Sequence, residues 1–239
     1  MRSRIQSAEG MSNAVIEFDE DMEFLSSVIL NGGSRTSRSV MIMQVSKDHM
    51  CPDPKSEVIS RLKALGLPLD TVSFMTAAEV EYVFTEAYVK YEGAEMTAYV
   101  TAGLSNQVVA GEVLENWEER HALSNRRSAA LRPGTINIIA VSSVPLTEAG
   151  KVNAIITVTE AKTAAMNYLG YKETGTTSDA VAIVSPPGDN GTSLTGTGTP
   201  IGIAAARAVK KAVATALMRR DDFPEGYTEE RKEKLRGGI

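Results

Sequence analysis

The sequence is poor in histidine, cysteine and aromatic residues. It has two histidines, one cysteine and 5% aromatic residues in a chain of 239. Two imidazoles exclude any site that needs three, and a single cysteine excludes an internal disulfide, which fits a reducing compartment. The low aromatic content argues against a stacking platform for nucleic-acid bases. These absences exclude three-histidine metal sites and disulfide-framed secreted domains.

The sequence also lacks an excess of positive charge and long apolar runs. Its formal net charge is -5 and its pI is about 5.3, so general affinity for nucleic acid or for an anionic membrane is not expected. No apolar run approaches the ~20 residues of a membrane span. Arg2 and Arg4 are not followed by the apolar core of a secretory signal. We therefore expect a cytoplasmic protein that binds neither nucleic acid nor membranes.

The mixture of strand-like and helix-like segments predicts an α/β or α+β fold, with a mixed β-sheet core and packed helices. The predicted strands cover 14–18, 24–33, 39–46, 95–102, 136–141 and 180–184. The predicted helices cover 54–65, 151–169 and 201–218, whereas 71–78 and 79–89 fit either structure. Asp53 and Gly66 are suited to cap the first of these helices. The polar stretch GSRTSR (33–38) is expected to be the loop of a hairpin.

The predicted elements form one domain without a long linker. We expect a flexible N-terminus over 1–13, a single domain over 14–218 and a charged C-terminal tail over 219–239. Residues 112–132 differ in composition, because they are charged and contain Trp117, the only tryptophan. They are expected to form an excursion from the domain.

Two neighbouring stretches place polar groups close together. PGTINIIAV (133–141) is typical of a buried strand with a polar entry at Thr135 and Asn137, and TVTEAKTAAM (157–166) is typical of a helix that carries Glu160 and Lys162. At about 100° per residue, these two charges lie about 200° apart around the helix. Because Glu160 adjoins the alanine face, we expect it to point inward, where it would be suited to act as a general base. A solvated or structurally paired glutamate is the alternative.

TAGLSN (101–106) follows a predicted strand and ends in a turn of small residues. Ser105 and Asn106 are suited to bind a substrate carbonyl, and Thr101 or Ser105 is a candidate nucleophile. The alternative is a turn that is merely stabilised by Asn106.

Two glycine-rich segments are further candidates for binding. Asn31, Gly32 and Gly33 form a tight turn, and Gly196, Thr197 and Gly198 lead directly into a helix. Free backbone N–H groups at a helix start suit an anion or an oxyanion. The second segment lacks the lysine of a phosphate-binding P-loop, and a simple capped loop is its alternative.

Several strings in register resemble the adenosylcobinamide amidohydrolase family. They are LSSVILNGG, VTAGLSN, PGTINIIAV, TVTEAKTAAM, TSDAVAIV and GTGTPIG, spread over about 15–217. The resemblance implies a catalytic domain that takes part in corrinoid salvage and cobalamin biosynthesis, typical of archaea and some bacteria. The implied reaction cleaves the amide between the aminopropanol arm and the corrin propionate, which gives adenosylcobyric acid. The corrinoid is then the substrate, and neither a cofactor nor a metal is expected.

The resemblance and the residue types together suggest a mechanism. We expect Glu160 to activate water, Asn106 or Asn137 to hold the oxyanion with backbone N–H groups of the two glycine-rich segments, and Lys162 to support the site. Asn31, Ser105, Thr135 and Asn137 suit the many amides of a corrinoid. A covalent mechanism through Thr101 or Ser105 is the alternative, and a corrinoid carrier without catalysis is the alternative function. The oligomeric state stays open, with a homo-oligomer as one option.

Overall fold

The computed structural model describes residues 1–46, 49, 52–104, 106–112, 134–220, 223–224 and 226–239. The strands are β1 (Arg2–Ala8), β2 (Met11–Ser26), β3 (Gly33–Gln44), β4 (Val72–Thr76), β5 (Thr85–Tyr91), β6 (Ala94–Thr101), β7 (Gln107–Val108), β8 (Asn137–Ser142), β9 (Gly175–Thr176) and β10 (Ala180–Ser185). The helices are α1 (Pro54–Leu65), α2 (Val80–Val83), α3 (Glu148–Tyr168), α4 (Pro200–Arg219) and α5 (Glu229–Gly237).

Eight of the strands in the described ranges form one mixed sheet, in the order β4-β3-β2-β10-β8-β6-β5, with β1 paired to β2. β8 and β10 are parallel and joined by α3, whereas β2 and β6, on either side of this pair, run antiparallel to it. β7 and β9 form a separate two-stranded sheet. The starts of β8 and β10 therefore meet the ends of β2 and β6 at one edge of the sheet. The predicted mixed sheet with packed helices is confirmed.

The sheet is covered on both sides and folds over on itself. All six residues of β8 are buried, as expected for a strand with both faces covered. One face, with Ile138, packs against α3 and α4. The other face, with Ile139, belongs to a second apolar cluster that includes Ile16 of β2 and Phe74 of β4. The half of the sheet that contains β2, β3 and β4 thus packs against the half that contains β6 and β8. Helix α1 covers the outer face of β2 and β3.

Helix α1 forms as its sequence predicts. The Asp53 side chain accepts a hydrogen bond from the Ser56 N–H, Pro54 occupies the first turn, and Gly66 ends the helix at φ 68°. Glycine adopts this left-handed conformation without a steric penalty.

In several segments the observed structure departs from the local expectation, because long-range pairing overrides local composition. Residues 1–13, expected to be flexible, form β1 and the beginning of β2. The polar stretch 33–38, expected to be a loop, lies within β3. The ambiguous region 71–89 contains β4, α2 and the start of β5. The expected charged tail over 219–239 includes α5, where the Leu235 carbonyl accepts a hydrogen bond from the Tyr168 hydroxyl at 3.1 Å.

The second apolar cluster, which contains Ile16, Phe74 and Ile139 and is called the inner cluster below, is expected to contribute much of the folding stability. Ile139 is fully buried there, whereas Ile156 on α3 is 55% exposed. We expect Ile139→Ala to lower the free energy of unfolding by about 2–5 kcal/mol, and Ile156→Ala to change it by less than about 0.5 kcal/mol. Urea unfolding followed by circular dichroism measures both. Equal losses for the two variants would contradict this layer arrangement.

Candidate functional site

Polar residues gather at the edge where β8 and β10 begin and β6 ends. The pairing of Thr101 with Asn137 and of Ala180 with Asn137 brings the three strand ends side by side. The residues around this point are called the strand-end cluster. It consists of Thr101, Asn106, Thr135, Asn137, Lys162, Thr176, Thr177, Ser178 and Asp179. Four of the predicted site residues, Asn106, Thr135, Asn137 and Lys162, are therefore brought together.

A buried ion pair lies at the centre of the strand-end cluster. Lys162 Nζ on α3 lies 2.5 Å from Asp179 Oδ2, and their side chains are only 10% and 14% exposed. Thr176 Oγ1 and the Ile136 N–H donate to Asp179 Oδ1 at 2.5 and 3.2 Å, and the Thr176 N–H donates to Oδ2 at 3.2 Å. Because a buried charge pair is tolerated only when its hydrogen bonds are satisfied, these donors hold the Asp179 carboxylate in place.

Hydroxyl groups connect the ion pair to the surface. Thr135 Oγ1 lies 3.3 Å from Thr176 Oγ1 and accepts a hydrogen bond from Ser178 Oγ at 2.9 Å. Thr135 and Thr176 are buried, whereas Ser178 is exposed. A substrate at the surface therefore meets hydroxyl groups that lead to the Lys162–Asp179 pair.

Each of the two asparagines of the cluster donates a hydrogen bond within the protein, and neither uses its side-chain oxygen as an acceptor. Asn137 Nδ2 donates to the Met75 carbonyl at 3.1 Å, and Asn106 Nδ2 donates to Thr177 Oγ1 at 2.7 Å. Each Oδ1 is buried and has no hydrogen-bond partner. The Met75 carbonyl can only accept, which fixes the orientation of the Asn137 amide. To stabilise an oxyanion, Asn137 would have to give up a hydrogen bond, because its second N–H donates to Thr101 Oγ1, whereas the second N–H of Asn106 has no partner among the described residues.

Glu160 is exposed, and the prediction that it points inward is wrong. The buried face of α3 includes Val158, Ala161 and Lys162, and Glu160 lies off this face with the exposed Ala164. Lys162 turns inward because Asp179 offers it a buried partner. Glu160 has no hydrogen-bond or ion-pair partner among the described residues. Its catalytic role stays a prediction.

The glycine-rich segments have structural roles of their own. Asn31 Nδ2 donates to the Leu69 and Thr71 carbonyls at 2.8 and 2.9 Å, which ties the turn with Gly32 and Gly33 to the start of β4. The other segment, with Gly196, Thr197 and Gly198, does not reach the cluster. The N–H of the neighbouring Thr195 donates instead to Asn153 Oδ1, in the first half of α3, at 2.9 Å. Substrate binding by these segments stays a prediction.

The remaining predicted residues lie outside the described ranges. They are Ser105 and Trp117, together with 113–132 of the expected excursion.

The sequence-based prediction missed Asp179 and its neighbours Thr176, Thr177 and Ser178. These residues directly precede β10, as Thr135 directly precedes β8. The same signal, polar residues at the entry of a buried strand, would have identified them. Only the tertiary structure shows that Asp179 pairs with Lys162.

Across the described ranges, no group of three or more His, Cys, Asp or Glu side chains is arranged to hold a metal ion. None of the helices in the described part of the chain is long and apolar enough to cross a bilayer.

Comparisons with known proteins agree on one family. A family model described as adenosylcobinamide amidohydrolase matches residues 1–224. An adenosylcobinamide amidohydrolase from Methanosarcina mazei is 33% identical over 154 residues, 64% of this chain and 65% of that protein. The chain thus matches slightly less than two thirds of that relative. An adenosylcobinamide amidohydrolase from Halobacterium salinarum is 31% identical over 195 residues, 80% of this chain and 78% of that protein.

One solved structure shares the fold. The PH0078 protein from Pyrococcus horikoshii superposes with a TM-score of 0.50 at 12% identity, over 95% of this chain and 86% of that one. At this identity the likeness concerns the fold alone.

Gly175 offers a way to disturb the ion pair without removing a charge. A Cβ at this position would lie 2.3 Å from Asp179 Oδ2 and 2.4 Å from Lys162 Nζ. We expect Gly175→Ala to separate the pair and to lower the free energy of unfolding by about 1–3 kcal/mol. Denaturant titration and a crystal structure of the variant measure these effects.

Gly198→Ala is the matched control, since a Cβ there meets nothing within 4 Å. We expect it to change the stability by less than about 1 kcal/mol. An intact ion pair and unchanged stability in Gly175→Ala would contradict the packing described for the cluster.

Proposed function

Because the chain belongs to the adenosylcobinamide amidohydrolase family, we propose that it hydrolyses the amide between the aminopropanol arm of adenosylcobinamide and a propionate of the corrin ring. The products are adenosylcobyric acid and 1-amino-2-propanol. The observation that carries the proposal is the family match over residues 1–224. The names of the two relatives, each an adenosylcobinamide amidohydrolase, support it.

Amide hydrolysis requires a polarised carbonyl, an activated nucleophile and a proton for the leaving amine. We place this chemistry at the strand-end cluster. Lys162 carries a positive charge that Asp179 and its three other donors fix in position. An ammonium held in a largely water-excluded site is suited to stabilise the negative charge that develops on the carbonyl oxygen.

Glu160 is proposed to activate the attacking water from the rim of the cluster. Its carboxylate is exposed and unpaired within the described structure, so it is available to accept a proton from water. One turn further along α3, Thr163 Oγ1 donates to the Thr174 carbonyl at 3.1 Å. Thr174 lies two residues before Thr176, which places this side of the helix next to the cluster.

Water attack fits the described contacts better than attack by Thr101. Thr101 is fully buried, and its hydroxyl accepts a hydrogen bond from Asn137 Nδ2 at 3.4 Å. No histidine, lysine or carboxylate is hydrogen-bonded to this hydroxyl in the described part of the chain, so nothing there would remove its proton. The covalent mechanism therefore rests on Ser105.

The proposed reaction is tested by incubating the purified protein with adenosylcobinamide. We expect release of 1-amino-2-propanol and formation of adenosylcobyric acid, both measured by mass spectrometry. Binding of the corrinoid without release of the amine would contradict catalysis and would favour the alternative function of a carrier. Absence of both binding and release would contradict either function.

The role of Glu160 is tested by Glu160→Gln, which keeps the size of the side chain and removes its basicity. We expect kcat to fall about 10²–10⁴-fold, the usual contribution of a general base, with unchanged stability because the side chain is exposed. Glu230→Gln on α5 is the matched control, since Glu230 is also exposed and α5 buries no residue. Full activity of a folded Glu160→Gln protein would exclude this role.

A further inference from the structure

A cleft lies at the opposite end of β8 from the strand-end cluster. Its volume is about 480 Å³, within the range of sites for small ligands. It is bordered by the end of β8 at Val141–Ser143 and by Pro186 after β10. In sheets with parallel strands, ligands bind preferentially at the carboxyl ends of those strands. The position of the cleft matches this rule. The chemistry proposed above does not involve the cleft.

The floor of the cleft is apolar and its wall carries an aromatic ring. Phe18, Met22 and Val141 form the floor, where they close one end of the inner apolar cluster. Tyr88 of β5 forms part of the wall and is 56% exposed. An apolar floor beside an exposed ring suits a flat, uncharged ring system.

Apart from the Met1 ammonium, the charged and hydroxyl groups that line the cleft are carboxylates and hydroxyls. The carboxylates are Asp19, Glu20, Glu86 and Glu95, and the hydroxyls belong to Thr97, Ser142 and Ser143. The Met1 ammonium pairs with Asp19, and Lys90 pairs with Glu95, each at 2.6 Å. Neither Glu20 nor Glu86 has an ion-pair partner in the described ranges.

Among the described residues that line the cleft there is no lysine or arginine, and the Met1 ammonium is already paired with Asp19. A phosphate would therefore face an excess of negative charge, which disfavours nucleotides. Carboxylates do bind ribose hydroxyls in nucleoside sites. The volume is too small to enclose a whole corrinoid but is sufficient for one nucleoside.

We propose that this cleft binds a nucleoside without phosphate. The base lies on the apolar floor against Tyr88, and the ribose hydroxyls donate to Glu86 or Glu20.

The test uses 5′-deoxyadenosine as the probe, with no hydrolysis required. We expect saturable shifts of the methyl NMR signals of Met22 and Val141 on titration into the wild-type protein. Tyr88→Ala should weaken binding about tenfold or more, because the stacking surface is lost. Tyr88→Phe keeps the ring and should retain binding within about threefold.

Tyr82→Ala is the matched control, because Tyr82 on α2 is also 56% exposed and does not line the cleft. It should leave the affinity unchanged. AMP should bind at least about tenfold more weakly than 5′-deoxyadenosine, because its phosphate meets the carboxylates. Absence of shifts, AMP binding as tight as that of the nucleoside, or equal effects of Tyr88→Ala and Tyr82→Ala would each overturn the proposal.

The result is distinguishable from a failure of the proposed function. Nucleoside binding at the cleft without release of 1-amino-2-propanol from adenosylcobinamide would support the cleft and contradict the hydrolysis. Release of the amine without nucleoside binding at the cleft would support the hydrolysis and overturn the cleft.

Discussion

The buried ion pair between Lys162 and Asp179 holds the strand-end cluster together. It joins α3 to the entry of β10, and Asp179 also accepts hydrogen bonds from Ile136 and Thr176. Removing two charges from water is costly, and the attraction between them offsets this cost only when the remaining hydrogen bonds are made. The neighbouring glycine at 175 leaves the space that the pair occupies. The pair thereby fixes the Lys162 ammonium, with the Asp179 carboxylate that balances its charge, near the point where three strand ends meet.

The elements that the sequence predicted correctly are those determined by residues close together in the chain. The caps of α1 and the buried strand β8 with its polar entry follow from neighbouring residues, and both are confirmed. The orientation of α3 does not follow in this way. A lysine is buried only with a partner, and the partner of Lys162 is separated from it by a helix end and a turn. Helical geometry alone therefore favoured Glu160 as the inward group, which is wrong.

Long-range pairing and packing also explain the other differences between the predicted and the observed structure. Residues 2–8 are polar and mostly exposed, yet they form β1 because β2 offers a pairing edge. The glycine-rich segment before α4 suits an anion by its local chemistry, but its hydrogen bonds anchor it to the first half of α3. The sequence thus identified the residue types of a binding site, whereas tertiary packing determined which of them share a surface. β8 links the two surfaces, with the proposed chemistry at its start and the proposed nucleoside cleft at its end.

A crystal structure of the protein with bound adenosylcobyric acid would show directly where the amide is cleaved. The carboxylate that hydrolysis releases marks the position of the cleaved amide. If the chemistry takes place at the strand-end cluster, this carboxylate lies within hydrogen-bond distance, about 3.2 Å, of Lys162 or the hydroxyl of Ser178. A product carboxylate bound at the glycine-rich segment before α4, or anywhere else away from the strand-end cluster, would contradict this placement.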